Sequence, residues 1–196
     1  MGGHVLDFAR SRGYNGTQHK SEGDIRMDFL KLAAQRYSCK AYDGRQVEQD
    51  KLSAILEAGR LAPTAKNGQE QRVYVIQSPE GLAKIDKLTP CRYGAPTVLA
   101  VAYDKAVVYS YPGGNRNMGA EDADIVANHM MLAAADLGVD SCWLNRFDPE
   151  VARVELGLPE HEELILLLDR GYAAPGAGPL PNHTARKSLS DTVRYL

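Results

Sequence analysis

The segment Glu121–Phe147 decides the fold, and it reads EDADIVANHMMLAAADLGVDSCWLNRF. Its first part, Glu121–Leu137, is predicted to be a long helix, because acidic residues occupy the first turn and Gly138 follows the end. After Asp124 this helix is apolar on nearly every face, which is typical of a helix buried over most of its surface. In a chain of 196 residues, we expect it to pack against a second subunit as well as against its own core.

Shorter patterns extend outward from this helix in both directions. Helical spacing and capping residues predict further helices, and β-branched or continuous apolar runs predict strands. The predicted helices are Asp28–Gln35, Val47–Leu61, Pro79–Leu88 and Pro149–Leu156, and the predicted strands are Arg72–Gln77, Thr97–Tyr103, Val139–Leu144 and Glu163–Tyr172. The segment Tyr109–Gly119 shows neither helical nor strand periodicity in its apolar residues. It is predicted to be a loop, either a lid or a plain surface loop. This order predicts an α+β or α/β sandwich in which helices cover a sheet.

Composition excludes several classes of function. The chain is 44% hydrophobic and 24% charged with a formal net charge of -2, so it has no general attraction for nucleic acid or for an anionic membrane. A phosphate ligand would therefore need a local cluster of cations. The three cysteines form no close pair, which argues against a disulfide framework or a zinc site and predicts reduced thiols in a cytoplasm. No apolar run reaches the roughly 18 residues that span a bilayer.

Residues 1–26 differ in character from the rest of the chain. They are rich in Gly, Ser, Arg and His, and they lack the apolar core of a signal peptide. We interpret them as an N-terminal extension that is expected to be flexible. It is either vector-derived, or translated from an upstream start codon, or an arm that wraps a partner subunit. A single domain is then predicted over residues 27–196.

Two clusters of cations lie far apart in the sequence. Arg36, Ser38 and Lys40 follow the first helix and offer a planar fork, a hydroxyl donor and a point charge, which suit a phosphate. Arg186 and Lys187 follow a tail rich in Gly and Pro, and they could close on the same phosphate. Each cluster alone is equally compatible with solvated charges.

Two further clusters carry amides and the single tryptophan. Asn67 and Gln69 lie in a tight turn after Pro63, and an amide both donates and accepts, which suits a heterocycle with alternating C=O and N–H groups. Trp143 lies in the run LGVDSCWLNRF. The first segment is equally compatible with an ordinary turn. The second is equally compatible with a tryptophan that only fills the core.

The order and spacing of the four clusters resemble the FMN-dependent nitroreductase family over residues 27–196. The matching segments are R-Y-S-x-K-x-Y, A-P-T-A-x-N-x-Q, A-A-x-x-L-G-x-x-S-C-W and R-K-x-L. The resemblance implies an α+β three-layer sandwich with a central, mostly antiparallel sheet, and an intertwined homodimer with two FMN sites at the subunit interface. It also implies ping-pong hydride transfer from NADH or NADPH through FMN to a nitroaromatic, a quinone or a similar small-molecule acceptor.

The resemblance further implies which residues contact FMN. The phosphate, the ribityl chain and the pyrimidine edge of the ring would be met by Arg36, Tyr37, Ser38 and Lys40, with the phosphate site completed by Arg186 and Lys187. The segment on the flavin, supplied by the other subunit, would comprise Pro63, Thr64, Ala65, Asn67 and Gln69. The stretch near the reactive flavin nitrogen would comprise Trp143, Leu144, Asn145 and Arg146. Because the flavin carries the chemistry, no catalytic acid or base is assigned; Lys40 and Lys66 are hypothesised to stabilise the anionic pyrimidine edge.

This sequence departs from the family pattern at three places. Tyr37 stands where a second arginine is frequent, and Glu70-Gln71 stand where Pro-Trp is usual. Asn145 and Arg146 lie near a usual glycine, so that Arg146 either points away from the ring or lines the substrate mouth.

Three alternatives for function stay open at this point. The first is a specialised flavin-dependent dehalogenase or dehydrogenase of the same fold, and the second is a flavin-binding protein without turnover. The third is a generic α/β domain that binds no cofactor. His129, in the middle of the long helix, is interpreted as a core or interface residue rather than a proton donor.

Overall fold

The computed structural model describes residues 29–196, and the predicted N-terminal extension lies outside the described residues. The elements in chain order are α1 Phe29–Gln35, α2 Gln49–Arg60, β1 Gln71–Ile76, α3 Pro79–Leu88, β2 Thr97–Asp104, α4 Gly119–Asp136, β3 Asp140–Leu144, α5 Pro149–Leu156, β4 Glu162–Gly171 and α6 Leu189–Thr192. The predicted order is confirmed, with each described boundary within two residues of its predicted position. The short α6 and a single 3-10 turn at Ala65–Asn67 were not predicted.

The four strands form one sheet in the order β1-β2-β4-β3, and every neighbouring pair is antiparallel. All eight residues of β2 are buried, because this strand and β4 lie in the middle of the sheet with layers on both faces. The expectation of an α+β fold with an antiparallel sheet is therefore confirmed.

Alternate residues of the central strands face two separate cores. Leu99 and Leu166 pack in the core that includes α2 and α4, whereas Val98 and Leu167 pack in the core that includes α3 and α5. Such alternation follows from the two-residue period of a strand. The molecule thus has three layers, with helices on both sides of the sheet.

Helix α4 is buried against its own chain on one face only. Val126 and Met130 are fully buried on that face. His129 and Leu132 lie on the opposite face and are only half-buried. Burial of this second face by another subunit stays a prediction. Within residues 29–196, no helix combines the length and the apolar character that crossing a bilayer demands.

Candidate functional site

The first cation cluster is held beside the start of β3. Helix α1 ends at Gln35, and the chain then runs along β3, where the Cys39 N–H donates to the Ser141 carbonyl at 2.8 Å and Ser38 forms a parallel bridge with Ser141. The motif that follows α1 and the SCW motif of β3, more than 100 residues apart in sequence, are therefore neighbours.

The C-terminal tail returns to the same place. A ring nitrogen of His183, Nε2, lies 3.0 Å from the carbonyl oxygen of Ala34 in α1. Arg186 Nη1 donates to the His183 carbonyl at 2.6 Å. These contacts carry Arg186 to the end of α1.

The two cation clusters line one cavity of about 180 Å3. Its lining residues are Arg36, Tyr37, Ser38, Leu180, Asn182, His183 and Arg186. Within residues 29–196, the Arg36 guanidinium forms no hydrogen bond and no ion pair with another side chain. Burial raises the pKa of Tyr37, with Asp140 as a further cause, so its hydroxyl stays neutral. The cavity is therefore positive and rich in donors, as an anion site requires.

The two lysines that were predicted to contribute to this site, Lys40 and Lys187, do not line the cavity. Lys187 is exposed and does not line the cavity. Lys40 Nζ lies 5.9 Å from the centroid of the Tyr93 ring. A second cavity, of about 170 Å3, shares Arg36 and Tyr37 and continues toward Asp140 at the start of β3.

The stretch that follows β3 is fixed by side-chain hydrogen bonds. Trp143 Nε1 donates to Asn145 Oδ1 at 2.6 Å, and Asn145 Nδ2 donates to the Ile165 carbonyl at 3.0 Å. Arg146 interacts with Cys91, since it is one of the groups that lower the pKa of that thiol, after the hydrogen bond from Tyr93. Arg146 is exposed, and its two predicted orientations, away from the ring or along the substrate mouth, stay predictions.

The amide cluster forms a strained loop, residues 64–69, hereafter the 64–69 loop. Lys66, Asn67 and Gln69 all have positive φ angles, of 52°, 56° and 52°. Non-glycine residues rarely adopt this left-handed conformation, and it persists only where surrounding contacts enforce it. Such strain is frequent at functional sites.

Three contacts hold the 64–69 loop in place. The Ala65 N–H donates to Asp122 Oδ2 at 2.9 Å, and the Gln69 N–H donates to Thr64 Oγ1 at 3.0 Å. Lys66 Nζ lies 4.6 Å from the centroid of the Tyr109 ring, which joins the 64–69 loop to the segment predicted as a loop or lid.

The 64–69 loop and the cation cavity lie at opposite ends of α4. Asp122 holds the loop near the N-terminus of the helix, whereas Ala135 lines the cavity that Arg36 shares near the C-terminus. The rise of 1.5 Å per residue places these two helix positions about 20 Å apart. One chain therefore brings Arg36, Arg186 and the strand that carries the tryptophan together, and it keeps the amide cluster apart.

Sequence reasoning missed several residues of this region. Asn182 and His183 line the cavity, and their only signal was that they are polar side chains in a tail of Gly and Pro. Glu70 and Asp122 are both 1% exposed beneath the 64–69 loop. Glu70 was noted only as a departure from the family pattern.

Comparison with known proteins agrees with this architecture. The model of the nitroreductase family matches residues 33–92 and 89–172. The chain therefore belongs to the nitroreductase family.

Individual relatives cover most of the described chain. A nitroreductase family protein from Clostridium difficile 630 is 40% identical, with a TM-score of 0.80, over 86% of this chain and 98% of that one. A nitroreductase with bound FMN from Bacteroides fragilis is 25% identical, with a TM-score of 0.65, over 87% and 99%. An NADH dehydrogenase from Thermus thermophilus is 28% identical, and the match covers 78% of this chain and 90% of that protein.

Proposed function

We propose that the chain binds FMN and passes electrons from NADH or NADPH to a nitroaromatic, a quinone or a similar small-molecule acceptor by a ping-pong mechanism. Membership of the nitroreductase family and the NADH dehydrogenase relative support an NAD(P)H-dependent oxidoreductase. The Bacteroides fragilis relative supports FMN as the cofactor. The observation that carries the proposal is the single cavity in which Arg36, Ser38 and Arg186 meet.

The residues around this cavity fit the phosphate of FMN. Two arginines can bind phosphate oxygens through paired N–H groups, and the hydroxyl of Ser38 and the amide of Asn182 add further donors. Because the net charge of the chain is -2, this attraction is local and does not extend to polyanions in general. When bound, FMN supplies the capacity to accept a hydride and to pass its electrons on.

The other predicted residues are proposed to hold the rest of the cofactor. The Trp143–Asn145 hydrogen bond fixes the stretch Trp143–Arg146, which we assign to the edge of the ring. The complete proposed set is Arg36, Tyr37, Ser38, Lys40, Pro63, Thr64, Ala65, Asn67, Gln69, Trp143, Leu144, Asn145, Arg146, Arg186 and Lys187. We assign no proton transfer to any of these side chains.

A homodimer is the assembly that accounts for the two separated halves of the site. The 64–69 loop lies about 20 Å along α4 from the cation cavity, so the loop that covers one flavin is proposed to come from a second copy. The half-buried face of α4 with His129 and Leu132 supports contact with that copy. Residues 27–196 are proposed to act as one FMN-binding domain.

A reducing compartment such as the cytoplasm is the proposed location. All three cysteines, Cys39, Cys91 and Cys142, are free thiols, and each is buried. Persistent free thiols are usual where glutathione and thioredoxin keep proteins reduced.

An absorbance spectrum tests the proposed function directly. The purified protein, soaked in FMN and desalted, is expected to show the two flavin bands, which then bleach on anaerobic addition of NADH or NADPH. Bands that persist with both reductants would favour the flavin-binding protein without turnover. A colourless protein after soaking would contradict FMN binding itself.

A further inference from the structure

Glu70 is a buried carboxyl group directly beneath the 64–69 loop. It is 1% exposed, and no hydrogen-bond donor from residues 29–196 reaches either of its carboxyl oxygens. A carboxylate that is buried without a donor is strongly unfavourable, and a buried carboxyl group therefore tends to keep its proton. The side chain occupies the position where the family pattern usually has proline.

A second buried carboxyl group faces Glu70. Asp122, in the first turn of α4, is also 1% exposed. Burial is the largest cause that raises the pKa of Glu70, contact with the Asp122 carboxyl is the second, and the guanidinium of Arg72 on β1 acts weakly in the opposite direction. Two ionised carboxylates that are buried side by side repel each other. A proton on Glu70 instead turns their contact into a hydrogen bond.

The two carboxyl groups contact both ends of the strained loop. Asp122 Oδ2 accepts from the Ala65 N–H. At the other end, a Cβ atom added to Gly68 would lie 2.9 Å from Glu70 Oε2, so the Glu70 carboxyl lies close to this residue. The left-handed residues Lys66 and Asn67 lie between these two contacts.

We propose that Glu70 keeps its proton, donates it to Asp122, and acts with Asp122 as a pair of positioning residues that holds the 64–69 loop in its strained conformation. The role toward the flavin rests on the proposed function, in which this loop lies on the ring. Loss of this proton leaves two buried like charges, which separate and release the Ala65 N–H. The loop should therefore loosen as the pH rises. Arg72 acts on Glu70 in the opposite direction, and its guanidinium is paired with the Asp104 carboxylate at 2.9 Å.

Hydrogen exchange in the protein without FMN tests the pair independently of the cofactor. We expect exchange of the 64–69 backbone, corrected for the intrinsic rate at each pH, to rise about tenfold between pH 6 and pH 9 in the wild type. In Glu70→Gln, whose amide is neutral and supplies a donor to Asp122, this rise should disappear. In Glu70→Ala, the loop should exchange fast at every pH. The exposed Glu160→Gln is the matched control and should behave as the wild type.

Asp122→Asn is a second variant, in case the alanine substitution prevents folding. Asparagine can still accept from the Ala65 N–H and can donate to Glu70, so the dependence on pH should again disappear. Loop exchange that rises equally with pH in the wild type, Glu70→Gln and Asp122→Asn would overturn the proposal, as would a wild-type loop whose exchange does not change with pH.

Titration with FMN separates this proposal from the proposed function. We expect wild-type affinity for FMN to fall several-fold from pH 6 to pH 9, and Glu70→Gln to keep its affinity throughout. If exchange responds as expected but no variant binds FMN, the pair is a positioning device and the proposed function fails. If FMN binds and its absorbance bleaches with NADH or NADPH, but loop exchange is the same in the wild type and in the Glu70 variants, the function stands and the positioning role is wrong.

Discussion

The imidazole ring of His183 packs edge-on against the phenol ring of Tyr37, with the two centroids 6.4 Å apart and the planes at 80°. This contact joins the C-terminal tail to the residue that follows Arg36. Together with the hydrogen bond between His183 and the Ala34 carbonyl, it fixes the backbone from which Arg186 reaches the cavity.

Substitution of His183 should weaken binding of FMN although the residue carries no permanent charge. In His183→Ala, the loss of one hydrogen bond, worth roughly 0.5–1.5 kcal/mol, is expected to lower affinity about 3- to 10-fold, because Arg186 loses its support. Quenching of FMN fluorescence measures the effect. The exposed His161→Ala is the control, and equal affinities in the two variants would contradict this role of the tail.

Arg36 should act on the phosphate and not on the ring of the flavin. Charge-assisted hydrogen bonds contribute roughly 1.5–3 kcal/mol, so Arg36→Ala is expected to weaken FMN binding about 10- to 150-fold. Binding of riboflavin, which lacks the phosphate, should hardly change. Titration of both ligands measures this difference, with the exposed Arg60→Ala as control. A parallel loss of affinity for riboflavin would show that Arg36 serves the fold rather than the phosphate.

Gly119 is required by the ring of Tyr103. A Cβ atom at this first residue of α4 would overlap Cε2 and Cζ of Tyr103, a strand residue that is 4% exposed. Gly119→Ala should therefore destabilise the fold by roughly 1–3 kcal/mol. Thermal unfolding measures the change. Gly178→Ala, which places its Cβ in open space, should leave the melting temperature nearly unchanged, and an equal shift in both variants would refute the steric explanation.

Asp169 should make stability depend on pH. Burial raises its pKa from 3.8 to about 8, against the opposing effect of Arg170 and Arg92. A carboxyl group whose folded pKa is raised contributes stability that is complete below its unfolded pKa and is lost as the pH rises through the folded pKa. Asp169→Asn, which cannot ionise, should therefore gain stability relative to the wild type as the pH rises.

Urea unfolding at pH 5 and at pH 9 measures this gain. The difference between Asp169→Asn and the wild type should become more favourable to the variant by about 4 kcal/mol over that range, since the folded pKa of about 8 lies three units above pH 5 and one pKa unit corresponds to roughly 1.4 kcal/mol. The exposed Asp136→Asn should show no such trend. A constant difference across the range would mean that Asp169 stays ionised beside Arg170.

The fold was predictable where local signals agree with packing. Both α3 and α5 were predicted with their observed bounds, because each begins at a proline that follows a capping side chain. Ser78 Oγ accepts from the Gly81 N–H, and Asp148 Oδ1 accepts from the N–H groups of Glu150 and Val151. The pairing of β1 with β2 and of β4 with β3 joins distant segments, and single-strand patterns carry no information about it.

The site was predictable only as a set of residue types in a familiar order. Nothing local in the sequence indicates that Lys66 adopts a positive φ angle, since the N–H of the preceding residue, Ala65, is held by Asp122 more than 50 residues away. The burial of Glu70 is equally nonlocal. A glutamate beside a turn is ordinarily solvated, and only the tertiary structure places α4 over it.

The position of α4 between the two halves of the site has a consequence for how activity is counted. On the proposed dimer, each polypeptide contributes its cation cavity to one flavin and its 64–69 loop to the other. A mixed dimer of Arg36→Ala with Glu70→Ala subunits would then hold one intact centre and one doubly damaged centre, so two variants that each bind FMN weakly would regain activity on mixing at a limiting FMN concentration. Dilution would separate the halves before either chain unfolds, and the turnover per chain would fall with protein concentration.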